Sequence, residues 1–356
     1  MCLIDVMNWC GRRKQFRLIG LLILSVARKL PFAILVKIAG RRIITASAGA
    51  PAILLTKSTI TEAVKDPGLL YKAASFAVEK MGLDTLFLFV DMSLEAEACG
   101  CQVHYDDFHV PSVVTHPVKK IDDLTGLKVP DPYRDGRMPV FLEAMRMMKK
   151  NYTMLKIGTV CGPFTLAMSL AGTDILMDTI KNQQKVHVIL EYCEKVIVRY
   201  AQALIKAGAD MLLIAEPAGS QLSSSTYEGF SLPYTKKIIN SLKRPCVLHI
   251  CGKAGHLVPK MCLSGAASLS LDDVDMNQVI KNVPHNIVVT GNISPLKFSR
   301  SSPEVIKNQT INLLESTKTR KEFLAAPGCD LPPETPLENV TAFIEAAINF
   351  RHHCPH

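Results

Sequence analysis

Short apolar runs recur along the chain, separated by longer stretches with helical periodicity. Eight of the runs read as strands, at 42–47, 86–91, 155–160, 211–216, 246–251, 268–272, 286–291 and 323–327. Most are apolar at consecutive positions, as strands covered on both faces are. Between them, 70–80, 139–150, 186–207, 232–242, 305–316 and 337–351 repeat apolar residues every three or four positions, the spacing that lines one face of a helix. Such alternation implies a parallel sheet, and eight units imply a closed (β/α)8 TIM barrel in a single domain. An open doubly wound sheet is the competing architecture, but no G-x-G-x-x-G follows an early strand. Residues 101–139, with Tyr105-Asp-Asp-Phe-His109 and several prolines, interrupt the alternation and read as an insertion over the barrel mouth.

Residues 1–40 form an atypical basic and apolar segment ahead of a barrel that occupies 41–356. The net charge is +9, and Arg12, Arg13, Lys14, Arg17, Arg28, Lys29, Lys37, Arg41 and Arg42 supply much of it locally. The apolar run 18–27 ends against Arg28-Lys29, too short to span a bilayer and with no small-x-small site after it. It is expected to be a basic amphipathic or buried helix, neither a cleaved signal nor an integral membrane segment. No Lys/Arg run interleaved with aromatics occurs elsewhere, which argues against nucleic acid as a partner. Eleven cysteines without regular spacing do not make a disulfide framework. They point to free thiols in a reducing cytoplasm.

Candidate chemistry gathers where the predicted strands end, the face on which barrel active sites form. Asp91, Glu216, His249, Cys251, Asp272, Asn292 and Cys329 all stand there. His249 and Cys251 are two residues apart, and in an extended chain such residues share a face. Cys329 follows the last run and precedes Pro332-Pro333, so it sits where a strand stops. One histidine and two cysteines make a Zn²⁺ ligand set, and three protein ligands with an open fourth position are the catalytic form of a zinc site. Their ligating atoms are expected within roughly 4 Å of one another, as tetrahedral ligands of one ion must be. Each residue also has a plainer reading. A single buried cysteine is commonly packing. Asp91 and Asp272 would serve as helix N-caps, Glu216 as a loop residue bonded to backbone, and Asn292 as a turn former. His104 and His109 would face a substrate or only solvent, and His352, His353, Cys354 and His356 form a terminal tail.

Six segments carry a family resemblance. They are Phe89-Val-Asp-Met-Ser-Leu-Glu-Ala-Glu-Ala-Cys-Gly100, Gly162-Pro-Phe-Thr-Leu-Ala167, Ala215-Glu-Pro217, His249-Ile-Cys-Gly252, Gly291-Asn-Ile-Ser-Pro295 and Gly328-Cys-Asp-Leu-Pro-Pro-Glu-Thr-Pro-Leu-Glu-Asn339. Over roughly 60–350 the sequence resembles the uroporphyrinogen decarboxylase superfamily, in particular its methylcobamide:coenzyme M methyltransferase branch. The resemblance implies a (β/α)8 barrel, with Zn²⁺ on His249, Cys251 and Cys329. It implies transfer of a methyl group from a methyl-corrinoid, carried by a partner corrinoid protein, to a small thiol such as coenzyme M. Glu216 and Asp91 are then expected to orient the histidine or take up the thiol proton, and Asp272 and Asn292 to contact the corrinoid. The Arg-rich motif of the decarboxylase itself is not evident; Arg41-Arg42 is the nearest match, in the wrong context. Decarboxylation of uroporphyrinogen and methylation of a corrinoid by the same fold are the alternative activities; loss of catalysis, leaving a corrinoid-binding partner, is a third reading. A sulfonate-bearing thiol would call for a cation near the zinc, and the sequence does not show which Lys or Arg supplies it.

Overall fold

A computed structural model describes residues 31–39 and 43–350. The apolar run 18–27, Arg41-Arg42 and the histidine tail lie outside the described residues. Seven parallel strands form one sheet, in the order β1 (Leu86–Phe87), β4 (Lys156–Cys161), β5 (Met211–Ala215), β6 (Cys246–Ile250), β7 (Ser268–Leu271), β8 (Val288–Ile293) and β9 (Phe323–Pro327). Helices connect successive strands, and the sheet curls as a half-barrel. A small antiparallel hairpin, β2 (Val103–His104) with β3 (Ser112–Val113), stands apart. No helix among the described residues is long and apolar enough to cross a membrane.

The strands are short and almost wholly buried, because both faces are covered. Their side chains alternate between two environments. On β5, Met211, Leu213 and Ala215 face the concave side, where they pack with Ile157 and Val247. Leu212 and Ile214 face the helices and join the main core. The longest helix, Gln183–Ala207, buries Val186, Ile189, Leu190, Cys193, Val196, Ile197, Tyr200 and Leu204, a stripe at three- and four-residue spacing. Phe32, at the start of the helix Phe32–Ile38, packs on the concave side with Met211 and Leu213. Ala33 and Val36 of that helix pack on Val288 and Leu324, and Lys37 pairs with the buried Glu322.

The strand expected at 42–47 is reduced to one parallel bridge, Ile44 to Ala325. The physical reason lies at Asp84. Its carboxylate accepts from the Ile44 N–H (2.8 Å) and its own N–H donates to the Ile44 carbonyl (3.1 Å), so these groups are taken before a ladder with β1 forms. The Thr45 N–H still donates to the Ala325 carbonyl (3.2 Å), and the Thr45 and Thr85 hydroxyls bond at 2.7 Å. The segment therefore touches both edges of the sheet. β1 is shorter than expected, and β8 runs two residues further along the chain than expected.

The insertion at 101–139 also departs from expectation. It contributes no residue to the concave cavity. Instead it binds the outer helices: the Val118 N–H donates to Leu170, His116 contacts the Ser169 carbonyl, and Tyr192 and Arg199 donate to the carbonyls of Lys128 and Val129. Its backbone polar groups find partners on helix surfaces, which draws it to the flank. His104 and His109 are exposed there, His109 against Asp106.

Candidate metal centre

β6 delivers His249 on the concave side, with Cys251 just beyond its end. β9 ends at Pro327, and the chain turns through Gly328 to Cys329. The Nε2 of His249 and the sulfurs of Cys251 and Cys329 all lie within 4.8 Å of one another. The spread is slightly wider than the roughly 4 Å expected of tetrahedral ligands. The His249 Nε2 to Cys329 Sγ separation is 3.4 Å, close to the edge of about 3.6 Å that zinc bonds to nitrogen and sulfur subtend at the tetrahedral angle.

The histidine is set for ligation. Its Nδ1 faces the Ser270 carbonyl oxygen at 3.3 Å and the Ser270 hydroxyl at 3.1 Å. A carbonyl oxygen only accepts, which sets the hydrogen on Nδ1 and leaves the Nε2 lone pair toward Cys329. A hydrogen bond from Cys329, reinforced by His249, holds the Cys251 thiol well below its ordinary value. Cys329 is pushed up, by its hydrogen bond to Cys251 and by burial. Two sulfurs and one imidazole nitrogen are thus brought together by the chain itself, a donor set that fits Zn²⁺.

Asp272 and Asn292 brace the loops that carry these ligands. One oxygen of Asp272 accepts from the Gly252 N–H (3.0 Å), immediately after Cys251. On its other side Asp272 packs against Gly328, where a Cβ would meet the Asp272 Cα at 2.8 Å and its carboxylate closer still. Glycine before Cys329 is what allows the β9 loop to approach. The Asn292 amide donates to the carbonyls of Asp272 and Val274, both at 2.9 Å, tying β8 to the β7 loop. Neither residue caps a helix; that task falls to Asp275, which accepts from the Asn277 N–H.

Glu216 and Asp91 stand at the same end of the sheet but are turned elsewhere. The Glu216 N–H donates to the His249 carbonyl (2.8 Å), so the two residues are neighbours along the strand ends. Yet Glu216 follows Ile214 in the alternation of β5 and points to the helix layer, fully buried. Its carboxylate accepts from the Phe164 N–H (2.9 Å), the Thr165 N–H (3.1 Å) and the Ser231 hydroxyl (2.7 Å). Helix Pro163–Ala171 has glycine at its N-cap and no cap of its own, so a carboxylate from the next strand supplies it. Burial raises the Glu216 pKa and these bonds oppose the rise. Asp91 accepts from the Ser93 N–H (2.9 Å) and hydroxyl (2.6 Å), and from Arg137 at 2.5 Å. Arg137, itself buried, also binds Glu97 at 2.7 Å and stacks near Tyr105. The structure does not bring either carboxylate to the cysteines.

Below the ligands lies a cavity with some 720 Å³ of atom-free space, part of it open to solvent. Its wall is apolar with a scatter of hydroxyls: Thr45, Ser47, Thr85, Ser268, Ser270 and Thr290. His249, Cys329 and Asp330 line it together. Asp330 was missed in the sequence, although it directly follows Cys329. Its Oδ1 is buried with no hydrogen-bond partner. Burial pushes its carboxyl up to about 7, opposed by the Ser47 hydroxyl and His249. Ser270 was missed too, although the alternation Ser268-Leu-Ser-Leu271 sets it on the same face as a neighbouring strand's His249.

With this geometry in place, the comparisons decide the lineage. The uroporphyrinogen decarboxylase (URO-D) profile matches residues 41–350. The chain belongs to the uroporphyrinogen decarboxylase family. Within it, the chain is 29% identical over 323 residues to the methylcobamide:CoM methyltransferase MtbA of Methanosarcina acetivorans, covering 85% of this chain and 94% of that protein. It is 31% identical to the methylcobamide:CoM methyltransferase MtaA of Methanosarcina barkeri, covering 80% and 85% respectively. A solved methyltransferase from Methanosarcina mazei superposes with a TM-score of 0.80 at 27% identity, over 86% of this chain and 94% of that one. This member of the family is a methyltransferase, and its sheet and connecting helices are those of the family fold.

Proposed function

We propose that the protein moves a methyl group from a methyl-corrinoid to a thiol activated by Zn²⁺ on His249, Cys251 and Cys329. The convergence of these three ligand atoms carries the reading. The names of MtbA and MtaA support methylcobamide as donor. His249, Cys251 and Cys329 would hold Zn²⁺ and leave one ligand position free, and the ion would supply the Lewis acidity that makes an acceptor thiol a nucleophile toward the donor's methyl group, whose bonding electrons would stay with the corrinoid. His249 contributes a neutral ligand, its tautomer fixed by Ser270. Cys251 and Cys329 would ligate as thiolates. Two thiolates offset the ion's charge, which keeps the acceptor sulfur electron-rich. Asp272 and Asn292 hold the two ligand loops in register, and we assign them to that task in preference to the corrinoid. Glu216 and Asp91 shape the neighbouring strand ends.

The same reading takes the sheet as an eight-unit barrel, with residues 43–47 as the first strand closing between β9 and β1. The Ile44–Ala325 bridge and the paired bonds of Ile44 with Asp84 support this closure. A corrinoid protein would dock over the strand ends. A reducing cytoplasm suits two neighbouring thiols that must not form a disulfide. The test is methyl-cobalamin demethylation by the zinc-loaded protein with a panel of thiols, followed by the cobalamin spectrum. Thiol-dependent formation of Co(I) is expected. Demethylation that survives complete zinc removal would contradict the reading.

A further inference from the structure

The space beneath the ligands runs the height of the sheet. Its wall takes in Ala215 and His249 near the strand ends, and Met211 and Ser268 at the strand starts. Met211 to Ala215 alone covers about 13 Å at the usual rise of a strand. Bulky branched side chains ordinarily fill a barrel interior. Here Ala46, Thr85, Ala215, Ser268, Ser270 and Ala326 line the space, and their small size leaves it open. The hydroxyls of the wall are already engaged. Thr45 bonds Thr85 (2.7 Å), Ser268 bonds Thr290 (2.9 Å) and the Val288 carbonyl (3.0 Å), Ser270 bonds His249 (3.1 Å), and Ser47 bonds Asp330. An occupant therefore meets mainly carbon, from Phe87, Val90, Leu213, Val247 and Leu324 among others.

Phe32 stands at the end of this space away from the metal ligands. It lines the space and joins both the inward cluster of Met211 and Leu213 and the cluster of Val288 and Leu324, near the starts of β8 and β9. Its helix is fixed there. Ala33 and Val36 bury with Val288 and Leu324, and Lys37 pairs with the buried Glu322, just before β9. The ligands bound the space at one end, and an aromatic ring on a latched helix bounds it at the other. We propose, building on the thiol-methylation reading, that Phe32 is a specificity-determining residue: it sets the length of the uncharged chain that the acceptor thiol extends from the metal centre into the barrel interior. The acceptor class is a thiol with an apolar chain, and the ring of Phe32 is the stop.

The test titrates a series of straight-chain thiols, from ethanethiol to hexanethiol, into the Co²⁺-substituted full-length protein. Binding is read from the thiolate-to-metal absorption, which needs no corrinoid and no turnover. In the wild type, affinity is expected to rise about fourfold for each methylene buried against the wall, and to stop rising at the length that meets Phe32. In Phe32→Ala that break moves to longer thiols, and the longest gain about tenfold or more relative to ethanethiol. In Phe32→Trp the break moves to shorter thiols. A change that only loosens the helix weakens every thiol alike, so opposite shifts in the two variants separate selection from stability. If Phe32→Ala does not fold, Phe32→Leu and Phe32→Trp provide the same pair of directions. A break at one length in all variants would overturn the proposal, as would wild-type affinity that does not grow with chain length. If no thiol, ethanethiol included, perturbs the Co²⁺ spectrum, the thiol-activation reading fails and takes the proposal with it, an outcome distinct from an unmoved break.

Discussion

Glu216 and His249 adjoin across the sheet, bonded through their main chains, yet their side chains have opposite fates. Glu216 is sealed in the helix layer with three donors on its two oxygens. His249 faces the cavity with one nitrogen anchored on Ser270 and the other turned to the Cys329 sulfur. The same contrast separates the two sides of the strand-end ring. On the β1–β5 side, Asp91, Glu95 and Glu216 are buried carboxyls held by backbone amides, serines and Arg137. On the β6–β9 side, His249, Cys329 and Asp330 line the cavity, with Cys251 beside the first two. The first side is a frame whose buried carboxyls are hydrogen-bonded. The second turns its nitrogen and sulfurs toward one another, which is what ligation of one ion requires. A polar residue at a strand end is therefore ambiguous until its parity in the strand and its bonding partners are known.

The comparison is broken most severely at Arg137. Replacing Arg137 with Met leaves Asp91 and Glu97 without their counter-charge, and buried pairs broken in this way cost about 3–5 kcal/mol. Urea denaturation should show this loss while zinc affinity of the folded protein stays at the wild-type value. A matching loss of zinc affinity would show that the frame and the ligand side are one unit.

The buried carboxyls also give the frame a pH signature. Burial raises Glu95 from 4.5 to about 8. The unfolded chain surrenders this proton at lower pH than the folded one, so the neutral-acid stability is full below about pH 4.5 and is lost as pH rises toward 8. Each pH unit inside that window removes at most about 1.4 kcal/mol. Glu95→Gln cannot ionise and keeps an oxygen for the Cys161 N–H (2.7 Å in the wild type). Its stability should be flatter across this range. An unchanged slope would mean that another group sets the pH dependence.

On the ligand side the smallest expected effect is at Ser270. Ser270→Ala removes the hydroxyl at His249 Nδ1 but retains the backbone carbonyl. Zinc affinity should fall by about tenfold, the low end for losing an outer partner of a ligating histidine. Competition with a chromophoric chelator measures it.

Much of this was legible before any coordinates. The strand and helix runs are long-period signals that survive tertiary context, and seven of the eight strands appear near their expected places. The eighth was reduced because the Asp84 carboxylate takes a main-chain donor that a ladder would have used, a long-range event that local apolarity does not report. His249 and Cys251 were legible as a same-face pair, and their convergence with Cys329 followed from the strand ends. Glu216 was placed among the catalytic candidates because strand ends were treated alike. Counting by twos from Met211 would have turned it outward. Asp330 and Ser270 were passed over because their importance depends on what faces them across the cavity, which no local pattern contains. The insertion was assigned to the mouth by analogy of position, whereas its carbonyls and amides find partners on the outer helices.

The central claim is that one metal ion is held by three ligands from the ends of two strands, β6 and β9. Metal analysis of the purified protein beside Cys251→Ala and Cys329→Ala, with thermal unfolding to check folding, tests it most directly. The account predicts one zinc per wild-type chain, and loss of zinc in each variant by about a hundredfold or more in affinity, with the fold retained. Stoichiometric zinc retained in both variants would contradict it.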